Sequence, residues 1–321
     1  QFFKFDDMKR FCYLFVLLLF SISSCAKTEK PEFVFKNPVP LGDPFIMYHD
    51  GKYYAYGTNS DKGIEVYTSV DLKEWTKESN LALKSEDSWG GKWFWAPEIY
   101  YIKEKNKFFM YYTANEHICV ATSDSPMGPF VQDVKEPMLP QEKAIDNSLY
   151  IDSDGKPYLF FDRFNDGLNI WVAKLQDDLK TIDVESMKPC IHVSQEWEKV
   201  WPRVNEGAFV VKHKDLYYLT YSANSYESQS YGVGFATSKS VEGPWVKYDK
   251  NPILQMPEDL VGVGHSAMFI DKEGKMKIVF HAHHSKESIH PRAMYIADVS
   301  FTDDAVPVMT ISKEIIRPKL K

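Results

Sequence analysis

Short runs of Tyr, Phe, Val and Ile alternate with turn residues along the chain from about residue 31 to residue 318. No helical periodicity persists over ten residues, and no linker or low-complexity tract interrupts the pattern. Short strands separated by turn signals at regular spacing are typical of a sandwich, a barrel or a propeller. The hydrophobic pattern therefore predicts an all-β protein.

Five hairpins share one plan, in which a polar or acidic residue precedes an apolar strand and a second aromatic strand follows. The first strands of these hairpins begin at residues 43, 97, 146, 206 and 265. Successive starts are 49 to 60 residues apart, a spacing close to that of four-stranded propeller blades. The repeat therefore predicts a five-bladed β-propeller.

The N-terminal segment has the pattern of an export signal. Lys9 and Arg10 precede the apolar run 11–20, which is too short to span a bilayer as a helix. Small residues then lead to Cys25, an arrangement similar to the lipobox of bacterial lipoproteins, in which the cysteine is lipidated. An ordinary secretory cleavage near Ser24 is the alternative interpretation.

These signals divide the chain into three parts. We expect residues 1–24 to be upstream sequence and signal peptide, with Met8 as the start, and residues 25–32 to be a lipidated tether. Residues 33–321 are expected to form one propeller domain. The expected location is the cell envelope of a bacterium, facing the periplasm or the cell surface, with the lipid as the only membrane attachment.

Composition and charge narrow the range of partners. The chain has 38 Lys and Arg against 45 Asp and Glu, which gives a formal net charge of −7. Binding to a phosphate backbone needs a basic stripe, so we expect no nucleic acid partner. Aromatic residues make up 15% of the chain, which suits packing between strands and stacking on sugar rings.

The cysteines point to neither a disulfide framework nor a zinc ribbon. Beyond Cys25 only Cys119 and Cys190 remain, and no CxxC spacing occurs. Two free thiols are the simplest expectation, and one disulfide between them stays open.

Several acidic residues lie at the open ends of the hairpins, away from the tight turns that would explain them. Asp43, Asp146 and Glu206 each come just before the first strand of a repeat, and Glu98 and His265 lie near the other two starts. In a propeller the inner strands line a central channel, so their starts converge on one mouth. Clustered like charges raise at least one pKa, which lets an acid and a base coexist near neutral pH. Each residue alone also fits a turn, but the repetition favours a catalytic site.

With these motifs the chain resembles glycoside hydrolase family 43, whose fold is a five-bladed propeller with a central active site. The resemblance implies that Asp43 is the general base, that Asp146 tunes the pKa of the acid and orients it, and that Glu206 is the general acid. The segment 95–98, Trp-Ala-Pro-Glu, is similar to a signature of the second blade in that family. The family inverts the anomeric configuration, which implies acid and base carboxyls about 6.5–9.5 Å apart.

Further candidates for sugar binding lie close to blade starts. Arg292 resembles the family arginine that reaches the sugar at the non-reducing end, with a solvated surface arginine as the alternative. Phe45, Trp95 and Trp201 are candidates for a stacking wall, although each also fits ordinary packing. Arg163, just beyond the third hairpin, is a weaker candidate of the same kind.

The histidines suggest two metal hypotheses. His265 heads the fifth inner strand, and in similar propellers such a histidine lies near a water cluster or a Ca²⁺ ion, so we expect either a structural Ca²⁺ held through water or a core histidine. His281 and His283 share one strand face and could ligate zinc, but no other ligand motif supports this and we expect packing.

The sequence thus predicts a glycosidase that acts on plant-type polysaccharides with inversion, needs no organic cofactor and is a monomer. An exo-acting α-L-arabinofuranosidase or β-D-xylosidase is the main expectation. An endo-arabinanase or a galactose-releasing relative is the alternative within the enzyme class. A non-catalytic glycan-binding propeller is the alternative from another class, although a binder does not require three converging carboxylates.

Overall fold

The computed structural model describes residues 36–321, so Cys25 and the expected signal segment lie outside the described residues. This part of the chain forms 22 strands. The first blade and its insertion contain β1 Gly42–His49, β2 Lys52–Thr58, β3 Gly63–Ile64, β4 Tyr67–Ser69, β5 Glu74–Lys77 and β6 Leu83–Lys84. The second blade contains β7 Trp95–Ile102, β8 Lys107–Ala114 and β9 His117–Ser123.

The third blade consists of β10 Ala144–Ile151, β11 Pro157–Phe164, β12 Leu168–Leu175 and β13 Ile182–Ile191. The fourth consists of β14 Asn205–His213, β15 Leu216–Ala223, β16 Gly232–Ser238 and β17 Val246–Lys247. The fifth consists of β18 Gly264–Ile270, β19 Met276–Ala282, β20 Ala293–Phe301 and β21 Met309–Ile316, and β22 Lys319–Leu320 ends the chain. Short 3₁₀ helices span Ser85–Asp87, Lys103–Lys105 and Glu196–Lys199. Within residues 36–321 no helix has the length and apolarity needed to cross a membrane.

The five blades are antiparallel sheets, and the predicted five-bladed propeller is confirmed. The inner strands are β1, β7, β10, β14 and β18, as the repeat predicted. The run 64–68, whose alternating apolar residues are typical of a single strand, is divided between β3 and β4. Ile64 pairs with Leu83 of β6, whereas Tyr67 pairs with β2 and β5, so the chain changes partner within the run.

The last residues of the chain close the ring. Strand β22 pairs in parallel with β5, the outer strand of the first blade, and the N–H of Val39 donates to the carbonyl of Pro318 at 3.2 Å. The N–H of Met294 in the fifth blade donates to the carbonyl of Val39 at 3.0 Å. The first and fifth blades are thus held side by side.

Every inner strand begins with a β-bulge, where its register against the second strand shifts. One residue in each bulge has a positive φ: Asp43 (46°), Ala96 (43°), Asp146 (57°), Gly207 (62°) and His265 (47°). Bulges turn side chains away from the regular alternation of a strand, and strained backbone of this kind clusters at functional sites. The bulges therefore set which side chains face the channel mouth.

A ring of five hydrogen bonds joins the bulges of neighbouring blades. In each case the backbone N–H of the residue with positive φ donates to a side chain on the second strand of the preceding blade. The pairs are Ala96 to Thr58 (3.0 Å), Asp146 to Thr113 (3.0 Å), Gly207 to Asp162 (3.0 Å), His265 to Ser222 (2.7 Å) and Asp43 to His281 (3.1 Å). The ring satisfies buried N–H groups that the bulges remove from the sheet ladders.

Candidate active site

The three predicted acids lie in the bulges at one end of the channel, but their positions are not all equivalent. Asp43 and Asp146 occupy the position with positive φ, whereas Glu206 stands one residue earlier, before Gly207. Glu98 lies two residues beyond the equivalent Ala96 and hydrogen-bonds the hydroxyl of Tyr100. The expected equivalence of the acids is therefore corrected to a common end of the inner strands, with the bulge adjusting each side chain.

Asp43 is held as a carboxylate by a buried arginine. Nη1 and Nη2 of Arg292 lie 2.6 and 2.9 Å from Oδ1 and Oδ2 of Asp43, a bidentate ion pair. Burial alone would raise the pKa of Asp43, but the guanidinium and the imidazoles of His265 and His281 hold it well below its ordinary value. Gly42 makes room for the pair, because a Cβ there would lie 2.3 Å from Cζ of Arg292.

The predicted contact of Arg292 with the sugar stays a prediction. Both terminal nitrogens of the guanidinium bind Asp43, and its Cζ lies 4.7 Å from the centre of the Tyr226 ring. Arg292 is 8% exposed, so it is not a solvated surface arginine. The positive charge of Arg292 stabilises the ionised form of Asp43.

Glu206 keeps its proton to a much higher pH than Asp43. Burial raises the pKa of its carboxyl to about 7, with the Asp43 charge adding to the effect and the Tyr231 hydrogen bond opposing it. The hydroxyl of Tyr231 donates to Oε1 of Glu206 at 2.6 Å, and the Tyr231 ring stacks on His281 at 5.6 Å between centroids. One oxygen of Glu206 is thus oriented by a buried phenol.

Asp146 and His265 complete the cluster. Nδ1 of His265 lies 3.4 Å from Oδ1 of Asp43 and 3.9 Å from Oδ2 of Asp146. Burial and the charges of Glu206 and Asp43 raise the pKa of Asp146 well above its ordinary value. Burial lowers the pKa of His265, which favours a neutral imidazole between the two acids.

The described residues contain no group of three or more His, Cys, Asp or Glu side chains placed to hold a metal ion. A Ca²⁺ ion held near His265 through water is not tested by that arrangement and stays a prediction. His281 accepts the Asp43 N–H at Nδ1, and Nε2 of His283 lies 2.7 Å from the carbonyl of Tyr226. Each of these imidazoles thus has a hydrogen-bond partner within the protein.

Two of the predicted aromatic residues lie at or just before the start of an inner strand, Trp95 in β7 and Trp201 ahead of β14. Trp95 has the bulge position in the second blade that Glu206 has in the fourth, and its ring stacks on that of Trp93 at 5.9 Å with 16° between the planes. Trp201 is 48% exposed, and its backbone N–H donates to Oδ1 of Asn224. The sequence reasoning missed Trp93, which is also exposed and has an unusual φ of 58°.

Phe45 and Arg163 have partners within the protein, and their predicted contacts with the sugar stay predictions. Phe45 lies past the bulge, packs against Tyr100 at 5.5 Å, and lines a cavity of about 720 Å³ formed by the later residues of the inner strands. Nε and Nη2 of Arg163 bind Glu142 at 3.0 and 2.8 Å, and its guanidinium lies over the Trp171 ring. The guanidinium of Arg163 is thus already paired.

The sequence reasoning also missed three buried groups at the acids, namely Asp162, Tyr231 and His281 in its contact with Asp43. A signal for Asp162 exists in the sequence. It directly follows the buried strand segment 158–161, where a charged residue is costly without partners.

Cys119 and Cys190 are both free thiols, so the simplest expectation for the cysteines holds.

Comparison with known proteins supports the geometry. The model for glycosyl hydrolases family 43 matches residues 35–307. A crystal structure described as an endo-1,4-β-xylanase from Bacteroides thetaiotaomicron VPI-5482 is 48% identical, with a TM-score of 0.86 over 90% of this chain and 99% of that one. A β-D-galactofuranosidase from Aspergillus niger is 23% identical over 92% of this chain and 88% of its own. A xylosidase/arabinosidase from Humicola insolens is 24% identical over 73% of this chain and 95% of its own.

Proposed function

The chain belongs to glycosyl hydrolases family 43 and is a glycosidase, and on this premise we propose that it cleaves its substrate by a single displacement with inversion. One observation carries the proposal. Asp43 is paired with Arg292 and favours the ionised state, whereas the pKa of Glu206 is raised to about 7. Two carboxyls whose pKa values are pushed apart in one site mark a base and an acid.

Each acid has one role in the proposed reaction. The protonated Glu206 gives its proton to the glycosidic oxygen as the bond to the anomeric carbon breaks. Asp43 accepts a proton from the water whose oxygen forms the new bond to that carbon. Arg292 is a positioning residue that keeps Asp43 ionised, and Asp146 tunes and orients the acid. One water molecule is consumed, and the proton gained by Asp43 balances the proton lost by Glu206.

The proposed substrates are plant-type polysaccharides, from which the enzyme releases α-L-arabinofuranose or β-D-xylose. Relatives named as xylosidase/arabinosidase support both sugars. The half-exposed ring of Trp95 beside the acids and the exposed ring of Trp201 support stacking on sugar rings. The similarity to a structure named as an endo-1,4-β-xylanase favours a second candidate, cleavage within a xylan chain.

A panel of aryl glycosides tests the proposed activity. We expect release of 4-nitrophenol from the α-L-arabinofuranoside or the β-D-xyloside, and less from β-D-galactopyranoside and β-D-galactofuranoside. Products from xylan and arabinan then separate the candidates, because exo action releases monosaccharide from the start and endo action releases oligosaccharides first. Binding to these glycans without turnover of any substrate would support the non-catalytic alternative.

The stereochemical outcome is a separate prediction. If Asp43 activates water on the side of the sugar opposite Glu206, the first-formed product has the inverted anomeric configuration. Proton NMR spectra recorded before mutarotation measure this configuration directly. A retained anomer, or a glycosyl intermediate trapped on Asp43, would contradict the single displacement.

We also propose that Cys25 is lipidated and anchors the enzyme to the cell envelope, supported by the short apolar run 11–20 and the small residues before the cysteine. Cys25→Ser, or treatment with a lipoprotein signal peptidase inhibitor, is expected to shift the protein from the membrane fraction to the soluble fraction. Mass spectrometry of the mature N-terminus checks the modification. An unmodified Cys25 would exclude the anchor and leave the glycosidase proposal untouched.

A further inference from the structure

Asp162 is the one acid in the ring of five hydrogen bonds between blades, and the proposed mechanism does not use it. The other four acceptors are neutral side chains: Thr58, Thr113, Ser222 and His281. Asp162 is fully buried, and its Oδ2 accepts the N–H of Gly207 at 3.0 Å. A hydroxyl would satisfy that N–H equally well, so the second carboxyl oxygen needs another explanation.

That second oxygen is buried without a donor among the described residues, next to the strand that carries Asp146. Oδ1 of Asp162 is buried and meets no N–H or O–H donor within residues 36–321. Asp162 on β11 pairs with Ile145 of β10, the residue before Asp146, and the carboxyl groups of Asp146 and Asp162 shift each other's pKa. Two carboxyl groups in contact away from water cannot both be ionised, and the stable arrangement is one proton shared between them. The shared proton supplies the donor that Oδ1 otherwise lacks.

We propose that Asp162 carries this proton and donates it to an anionic Asp146 while its other oxygen holds the N–H of Gly207, making Asp162 a positioning residue for the catalytic acid. This inference rests on the proposed function. A single side chain then fixes both the charge on Asp146 and the backbone next to Glu206. Gly207 is already tightly placed, since a Cβ there would lie 3.2 Å from the His265 ring.

The surroundings decide which of the two acids is the anion. Asp146 lies within the field of the Arg292 guanidinium, and its Oδ2 faces Nδ1 of His265 at 3.9 Å. The contact between the two carboxyls lowers the pKa of Asp146 and raises that of Asp162.

Among residues 36–321, no cation is one of the groups that shift the pKa of Asp162. Asp162 faces the carboxyl of Glu206 from β14 and the thiol of Cys190 from β13, two groups that disfavour a second negative charge. The negative charges of Asp43 and Glu206 oppose ionisation of Asp146, so the proton on Asp162 is what makes an anionic Asp146 tenable.

Asp162→Asn tests the proton assignment, because an amide reproduces the proposed state. Its carbonyl can accept from Gly207 and its NH₂ can donate to Asp146. We expect kcat/KM to fall by less than about tenfold, and the alkaline limb of the pH profile to keep its position. Asp183→Asn, on the outer strand β13 of the same blade, is the matched control for expression and thermal stability.

Asp162→Ala removes both contacts. We expect a loss in kcat of about 10²-fold from misplacement of the acid, with KM changed much less. The alkaline limb of the pH profile should move to lower pH. Without the hydrogen bond from Asp162, Asp146 takes up a proton and no longer holds Glu206 protonated. Asp162→Asn that loses activity as severely as Asp162→Ala would overturn the assignment, and so would two variants that both behave like the wild type.

Asp146→Asn separates this inference from the proposed function. A large loss of kcat is expected, because the charge that holds the proton on Glu206 disappears. If Asp146→Asn retained full activity, the role proposed for Asp146 would fail. If only the Asp162 variants departed from expectation, the proton assignment alone would fail. The pH profile of Asp162→Asn decides the matter even if Asp162→Ala does not fold.

Discussion

Replacing Glu206 with glutamine is expected to lower kcat on natural glycosidic linkages by about 10²–10⁴-fold or more, the contribution of a general acid. The amide fills the same space and can still accept the hydrogen bond from Tyr231, which donates to Oε1 at 2.6 Å in the wild type. It cannot protonate a leaving oxygen. Steady-state kinetics on xylan or arabinan oligosaccharides measure the loss, and calorimetry should show that sugar binding persists.

The leaving group supplies the control for the Glu206 prediction. Aryl glycosides with acidic phenols leave with little protonation, so Glu206→Gln should impair their hydrolysis much less than that of natural substrates. Glu196→Gln, at a neighbouring acid with an exposed side chain, should leave both activities unchanged. An equal loss on activated and natural substrates would argue that Glu206 has a role other than that of the acid.

The sequence predicted the location of the acids because a propeller imposes it. Once five hairpins repeat at 49 to 60 residues, the starts of their inner strands must converge, and Asp43, Asp146 and Glu206 stand at those starts. The structure brings them together at one mouth through β1, β10 and β14. This part of the site depends on topology alone, which short-range patterns encode well.

The contacts of the acids depend on information that a single strand does not carry. Arg292 reaches Asp43 across 249 residues of chain, and only closure of the ring between the first and fifth blades makes them neighbours. The bulges also break the alternation of side chains, so Phe45, two residues from Asp43, packs in the channel. Neither the ion pair nor the direction of Phe45 follows from hydrophobic periodicity.

Asp43→Asn is expected to lower kcat by about 10²–10⁴-fold, because the attacking water loses its base. In contrast to Glu206→Gln, the loss should be as large on activated aryl glycosides as on natural substrates, since water attack is impaired whatever group leaves. Azide, which is already anionic and needs no base, should restore turnover and give a glycosyl azide of inverted configuration. A product of retained configuration would contradict the role of Asp43.

The same substitution should also destabilise the fold, because it leaves the Arg292 guanidinium buried without its partner charge. Breaking a buried ion pair from one side costs about 3–5 kcal/mol in the free energy of unfolding, whereas replacing both partners by uncharged groups of similar volume is often neutral. We therefore expect Asp43→Asn/Arg292→Met to unfold in denaturant at a higher midpoint than Asp43→Asn, while remaining inactive.

The pH dependence of this destabilisation identifies its cause. A carboxyl whose pKa is lowered in the folded state stabilises the fold above its unfolded pKa, and that contribution is lost as the pH falls through the folded value. The pKa of Asp43 is lowered by Arg292 and the neighbouring imidazoles against the effect of burial. The difference in unfolding free energy between wild type and Asp43→Asn should therefore be full at neutral pH and shrink in strong acid. A difference that stayed constant with pH would show that lost packing, and not the ion pair with Arg292, stabilises this end of the channel.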